Sequence, residues 1–347
     1  MTAMESPTPG RRPALGSAPV MSDVARLAGV SHMTVSRVLN EPWRVRSATR
    51  ERVESAIAAL GYRPNSAARS LVTKRSRTIG VVALNTTLFG PASTLHGIEE
   101  AARDAGYYVS VASADRLTHD ALRAAVHRLT SQSVDGMVVI APLRSAAQVV
   151  DALDPSVPAV SVEGVELEVI PSVAVDQHLG ARLAVEHLLS LGHRTVHHVS
   201  GPLDWTESEA RIDGWRETLR SARLRVPALV VGDWSARSGY EGTSRLLDKG
   251  GVTAVFAAND PMALGALRAL HERGLRVPQD VSVVGFDDVP ESSYYMPPLT
   301  TVRQDFSEIG RQSLRVLVQQ IEGQAVPPVH LLPPSLVVRS STGPPPS

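Results

Sequence analysis

Four side chains within MSDVARLAGVSHMTVSRVLN, positions 21–40, have the types and spacing to read base edges. His32, Met33, Ser36 and Arg37 fall on one side of a helical period whose other side is Val35, Val38 and Leu39. The planar fork of Arg37 matches the O6/N7 edge of guanine, a contact worth about 1 to 3 kcal/mol of discrimination. A second set follows apolar, strand-like runs: Asn85, Glu163, Asp176, Asp233 with Trp234, Asn259 with Asp260, and Asp287 with Asp288. Carboxylates and amides beside aromatic rings suit a polyhydroxylated ligand, because the polar groups bond hydroxyls and the rings pack on C–H faces. Taken singly, Asp176 and Asp233 read as solvated caps, whereas Asp287 is the stronger binding candidate.

Helices must position the first set. Val24, Leu27 and Ala28 make an inner stripe, Ala25 allows close approach, Gly29 gives a turn, and Val30 packs inward after it. Ser31 is a good N-cap for a second helix from His32 to about Leu39. SATRERVESAIAALGY reads as a third helix, capped by Ser47 or Thr49, with Val53, Ile57 and Leu60 inward and Gly61 at its end. The expected all-α helix-turn-helix domain spans 20–62, after a Pro-rich disordered leader at 1–19. Residues 63–77 form a hinge. Its stretch Asn65–Lys74 carries Ala67, Ala68, Leu71 and Val72 among basic residues and is too short to be a stable helix alone. It is either a plain basic linker or a segment that folds when held in a DNA groove.

From Thr78 onward, short apolar strands alternate with amphipathic helices, which means parallel sheets covered on both faces. The length suits an α/β core of two doubly wound parallel-sheet subdomains over 78–341, with a tail at 342–347. Ligands of such sheets bind outside the carboxyl ends of the strands, where the second set of candidates lies.

The formal charge of zero hides an asymmetry: residues 1–77 hold 13 Lys+Arg against 5 Asp+Glu, and the remainder 22 against 30. A basic head that favours a polyanion is joined to an acidic body that does not. With no cysteine there is neither a disulfide framework nor a thiolate metal site. No apolar run reaches membrane-span length, and a cytoplasmic location is expected. An enzyme is not expected: no Walker loop, GxSxG or HExxH motif occurs, and Asp287 and Asp288, adjacent on a strand, are poorly placed to flank one glycosidic bond. His197 and His198 diverge on a strand and His193 follows a helix-ending glycine, so structural roles are expected and no metal or cofactor.

The order of these parts, with DVARLAGVSHMTVSRVLN, RPNSAARSLVTKRSRTIGVV, AANDPMALGALRAL and VSVVGFDDVPESSYYMPPLTTVRQDFSEIG, resembles the LacI/GalR family of transcription regulators over nearly the whole chain. The resemblance implies a periplasmic-binding-protein-like core and a repressor released from operator DNA by a small sugar-like effector; a corepressor role for that effector stays open. It implies base reading by His32, Met33 and Arg37, phosphate contacts by Ser31, Thr34, Ser36 and Asn40, and a minor-groove leucine at Leu71. For the effector it implies Arg211, Trp234, Asn259, Asp287, Gln304 and Phe306, an apolar rim of Leu88, Gly90 and Pro91, and Glu163 where a relative has aspartate. Ile140 and Val175 depart from polar and aromatic residues found in a family member, which implies a different ligand. Partners are then double-stranded operator DNA, the effector and a second copy. The tail SLVVRSSTGPPPS lacks a leucine-rich tetramerisation helix, so a homodimer is expected. A solute-binding transport protein would share the two-lobed core but have no use for residues 21–74.

Overall fold

The left-handed backbone of Gly29, φ 62° and ψ 41°, turns the first helix into the second, and the Val30 N–H closes the turn on the Ala25 carbonyl at 3.0 Å. In the computed structural model, which describes residues 19–63, 75–84, 87–114, 119–140, 153–163 and 170–346, the N-terminal unit consists of α1 (Met21–Ala28), α2 (His32–Asn40), a 3₁₀ turn (Pro42–Arg44) and α3 (Ser47–Leu60). They enclose Val24, Ala25, Ala28, Val35, Val38, Val53, Ala56 and Tyr62. Two expectations need correction. Leu27 is 56% exposed, because the buried stripe of α1 runs through Val24, Ala25 and Ala28 and leaves Leu27 beside Arg26 on the outer side. Neither Ser47 nor Thr49 caps α3; both are already helical, Arg46 holds the N-cap position without a side-chain bond, and Thr49 N–H reaches the Arg46 carbonyl at 3.0 Å.

The chain divides into residues 1–76 and 77–347. The larger unit holds two six-stranded sheets. β1 (Thr78–Leu84), β2 (Tyr108–Ala114), β3 (Gly136–Ile140), β4 (Ala159–Val162), β5 (Ser172–Val175) and β11 (Val329–Leu332) lie in the order β11-β5-β4-β3-β1-β2. β6 (His197–Ser200), β7 (Val230–Val231), β8 (Ala254–Ala257), β9 (Ser282–Asp287), β10 (Thr300–Arg303) and β12 (Ser335–Val337) repeat it as β12-β10-β9-β8-β6-β7. The described pairings are parallel except β10 with β12. Both orders are those of a doubly wound sheet with its switch point beside the first strand.

Helices explain why β3, β4, β8 and β9 are buried throughout and mostly apolar: both faces of each are covered. α4 (Phe89–Asp104) and α10 (Phe306–Ile321) cover one face of the first sheet, and α5 (His119–Ser131) the other. α6 (Gln177–Ser190) with α7 (Thr206–Ser221), and α8 (Ala236–Leu247) with α9 (Asp260–Glu272), cover the two faces of the second. Ile140 and Val175 belong to the first-sheet core, 1% and 3% exposed, and neither lines the cleft described below.

Sequence reading stopped short of β10, β11 and β12, which make the chain exchange sheets three times: after β5 at Asp176, after β10 at Gln304, and between β11 and β12. The Asp176 N–H donates to the Leu332 carbonyl at 3.0 Å, tying the first crossing to the third. The body also extends past its expected end at 341. Thr342 bonds His187 at 2.9 Å, and Gly343 bonds both His193 and Ser282 at 3.0 Å.

His198 is fully buried, stacked on Phe256 at 4.5 Å, its Nδ1 donating to the Phe256 carbonyl at 2.9 Å. Burial pushes its pKa down to about 3, from 6.5, against the pull of that carbonyl bond. A histidine with a depressed folded pKa stabilises fully above its unfolded value, and that stability drains away as pH falls from 6.5 toward 3. By pH 4.5 the loss reaches about 2 to 3 kcal/mol at 1.36 kcal/mol per unit. Replacing His198 by Leu is therefore expected to lower stability at neutral pH yet flatten the decline between pH 6.5 and 4.5. Urea titrations across that range check it, and parallel wild-type and variant curves would refute it.

Candidate functional site

Two surfaces gather the chemistry-bearing residues, one in each unit. On α2, His32, Met33 and Arg37 are exposed, Met33 by 62%. The Ser31 hydroxyl caps the helix, accepting the Thr34 N–H at 3.1 Å and pairing with the Thr34 hydroxyl at 2.9 Å. Asn40 folds back, its amide donating to the Ser36 carbonyl at 2.9 Å. Ion pairs bind Arg26 to Asp23, Arg44 to Glu41 and Arg50 to Glu54, whereas Arg37 makes none among the described residues. The helix thus presents its N-terminal and central side chains outward with an uncommitted guanidinium, the face such a motif inserts into a major groove. Leu71 lies outside the described residues.

The second surface is a narrow cleft at the carboxyl ends of the strands, with a cavity volume of about 70 Å³, below the roughly 300–1,000 Å³ usual for small-molecule sites. Nine of the expected residues line it: Leu88, Gly90, Pro91, Arg211, Trp234, Asn259, Asp287, Gln304 and Phe306. Phe89, Trp205, Glu207 and Pro261 complete it and were not anticipated. Glu163 stands just behind, its carboxylate accepting the Val175 N–H at 3.0 Å and the Gln177 amide at 3.2 Å. Asn85 lies outside the described residues.

Local structure aims each group. Trp234 and Asp287 take positive φ, 71° and 104°, as does Glu163 at 54°, so the chain turns sharply where β7, β9 and β4 end. Non-glycine residues there cost about 1 to 3 kcal/mol each, strain that clusters at functional sites. The Trp234 ring fills the space over Gly201, where any Cβ would collide with it. It meets Trp205 edge to face at 5.4 Å, and Phe89 meets Phe306 likewise at 5.6 Å. The cleft therefore has aromatic walls, one from each sheet's side.

Its floor is a buried polar network. Arg211, 3% exposed, donates from Nε to Gln177 at 2.9 Å and from a terminal nitrogen to the Ala258 carbonyl, while its other terminal nitrogen lies 3.7 Å from Asp287. The guanidinium stacks 3.8 Å from the Phe286 ring centre and 5.4 Å from that of Trp234. Gln304 donates to Asp287 and accepts from Gln177, both at 2.7 Å. Burial raises Asp287 to about 6 and Glu163 to about 7, with Arg211 and the amide bonds pulling both down. Glu207 is raised well above its usual range, first by burial and then by Glu163. The Trp234 indole N–H has no acceptor among the described residues.

The remaining strand-end acids have other work. Asp176 caps α6 through the Leu179 N–H at 2.8 Å, and Asp233 accepts from Ser235 at 2.9 Å. Asp260 bonds the Val289 N–H at 2.9 Å and Thr301 at 2.6 Å, and Asp288 pairs with Arg303 and Arg339, each at 2.6 Å. Asn259 serves both purposes, lining the cleft while capping α9 and donating to the Trp234 carbonyl at 3.1 Å.

Comparison with known proteins agrees with this division. Residues 20–65 match the model of bacterial regulatory proteins of the lacI family, and residues 185–342 that of a periplasmic binding protein-like domain. The lactose operon repressor of Escherichia coli K12 is 43% identical over 322 residues, 92% of this chain and 89% of that repressor. A lac repressor dimer solved with operator and the anti-inducer ONPF superposes with a TM-score of 0.87 at 42% identity, covering 94% of this chain and all of that one. The transcriptional regulator CelR in complex with cellobiose gives a TM-score of 0.70 at 34% identity, over 93% of this chain and 99% of that one. With an exposed second helix in the helix-turn-helix unit, a doubly wound two-sheet larger unit and relatives of this extent, the chain belongs to the lacI family of bacterial regulatory proteins.

Proposed function

We propose that this protein is a cytoplasmic repressor that binds operator DNA as a homodimer and is released when a small sugar enters the cleft of its body. The observation that carries the reading is the cleft itself: aromatic walls around a buried Arg211–Asp287 pair, with an indole N–H that meets no acceptor among the described residues. Rings take the C–H faces of a sugar, charged groups take its hydroxyls, and the free N–H asks for an oxygen. Two CelR and lac repressor relatives solved with cellobiose and with operator support both halves of the reading. In this scheme residues 20–62 read DNA, 63–77 link, and the body binds ligand and pairs two copies so that two heads meet two half-sites. No helix among the described residues is long and apolar enough to cross a membrane.

The test is a thermal-shift screen of the purified protein against mono- and disaccharides, followed by operator gel shifts with each hit. A specific ligand raises the midpoint by mass action. Weaker operator binding with that ligand is the expected result, and tighter binding would make it a corepressor at the same site. No shift with any saccharide would overturn the sugar assignment.

For the head, Arg37→Ala is expected to weaken operator binding by roughly 1 to 3 kcal/mol and to relax specificity at one base pair. Its side chain makes no hydrogen bond or ion pair among the described residues, so helicity and effector binding should match wild type. Equal affinity of variant and wild type for the operator at matched salt would remove Arg37 from the reading face.

A further inference from the structure

Glu207 is a carboxylate without a partner in a place where partners are the rule. It lies in the first turn of α7, lines the cleft, and makes no hydrogen bond or ion pair among the described residues. Arg211 stands four residues on, the spacing at which an acid and a base pair along a helix. It is not free to do so, because its three nitrogens are directed to Gln177, the Ala258 carbonyl and Asp287. The other groups facing Glu207 are acids. Glu163 approaches from the end of β4 and Asp287 from the end of β9, and among the described residues Arg211 is the one cation that acts on all three carboxyls. Both neighbours have their own donors, Val175 and Gln177 for Glu163, Gln304 and Arg211 for Asp287. Ionised together, the three carboxyls outnumber that cation, and of the three Glu207 alone has no donor among the described residues to offset its charge.

A half-buried carboxylate in such company either takes up a proton or meets a cation. A neutral sugar offers it hydroxyl donors and leaves the charge imbalance as it was. A ligand ammonium removes the imbalance and adds a charge-assisted bond, roughly twice as strong as a neutral one. Resting on the proposal that the cleft binds sugars, we infer that Glu207 is its specificity-determining residue and that its carboxylate pairs with a protonated amine, so that the effector is an amino sugar.

The experiment measures dissociation constants by quenching of tryptophan fluorescence, since Trp205 and Trp234 line the cleft. The probes are glucosamine, galactosamine and mannosamine, each beside its parent hexose and its N-acetyl derivative. The protein is the full chain at pH 7, as wild type, Glu207→Gln and Glu207→Asp. At least one amine is expected to bind about tenfold or more tightly than both its neutral counterparts, a difference of ~1.4 kcal/mol. That preference should collapse in Glu207→Gln and return in part in Glu207→Asp, which also guards against a variant that merely misfolds. Neutral hexoses or cellobiose binding with no preference for an amine would overturn the inference and leave the sugar cleft standing. A preference that survives Glu207→Gln would likewise overturn it. Binding by none of the saccharides would overturn the sugar cleft as well.

Discussion

Arg211→Ala is expected to destabilise the body by about 3 to 5 kcal/mol, the cost of breaking a buried charge pair from one side. The loss goes beyond a ligand contact. Removing the guanidinium strips a donor from Gln177 and another from the Ala258 carbonyl, empties the space stacked on Phe286, and leaves Asp287 with Gln304 as its single named donor. The deficit should also depend on pH. Asp287 already sits at about 6, above its ordinary 3.8, with Arg211 holding it down. An acid whose folded pKa exceeds its unfolded one stabilises most below the unfolded value and loses that stability as pH rises through the folded value. Without Arg211 the folded pKa moves further up, so the gap between wild type and variant should widen from pH 5 to pH 8. Urea unfolding at the two pH values measures it. A difference under about 1 kcal/mol at pH 8 would show that Arg211 is held for the ligand alone. Loss of operator release in Arg211→Ala is consequently a poor assay of effector binding, since a partly unfolded body gives up both functions together.

How much of this was legible in the sequence depended on whether the signal was local. Ser31 as a cap, Gly29 and Gly61 as turns, and the strands that follow the apolar runs all rest on a few adjacent residues, and the structure has them where the spacing puts them. Leu27 was misplaced because a leucine one position off the stripe fits an eight-residue helical pattern almost as well as the true face does. β10, β11 and β12 were missed for a different reason: they are short and partly polar, and they gain their place by pairing with strands far away in the chain, such as Val329 beside Ser172.

The cleft divides in the same way. Residues directly after a strand, Trp234, Asn259 and Asp287, followed from the rule that open parallel sheets bind at their carboxyl edge, and Arg211, Gln304 and Phe306 from family resemblance. Trp205 and Glu207 come later, at the start of the helix after β6. An acid in the first turn of a helix is ordinarily explained by the helix dipole, which hid the possibility of a binding role. Glu163, expected among the effector residues, is not in the cleft lining; its carboxylate accepts from the Val175 N–H and Gln177. No spacing in the sequence brings Gln177, Arg211 and Gln304 together; the exchange of the chain between sheets does.

That exchange gives Asp287→Asn its expected result. Gln177 begins α6 immediately after the first crossing and Gln304 occupies the second, and the two are bonded to each other and, through Gln304, to Asp287. A ligand that engages Asp287 therefore acts on the residues that join the two sheets' halves of the body. An effector can shift the balance between two arrangements only by binding one of them better, and its effect on operator affinity equals the operator's effect on its own. Asparagine keeps the size of aspartate and can still accept from Gln304, and Arg211 keeps its bonds to Gln177 and the Ala258 carbonyl, so the variant should fold, less stably than wild type, and bind operator; it forfeits a charged acceptor for ligand hydroxyls, worth about 1.5 to 3 kcal/mol. The effector concentration needed for half-release should rise by roughly 10- to 150-fold. If Asp287 only holds the ligand, full release still comes at saturation. If it also transmits, the operator affinity of the saturated variant stays closer to that of the free protein than in wild type, and the placement of Gln304 at the crossing leads us to expect this second pattern. Operator titrations at increasing effector, carried to saturation for both proteins, separate the two. Release at the wild-type midpoint and to the wild-type extent would show that the effector does not touch Asp287.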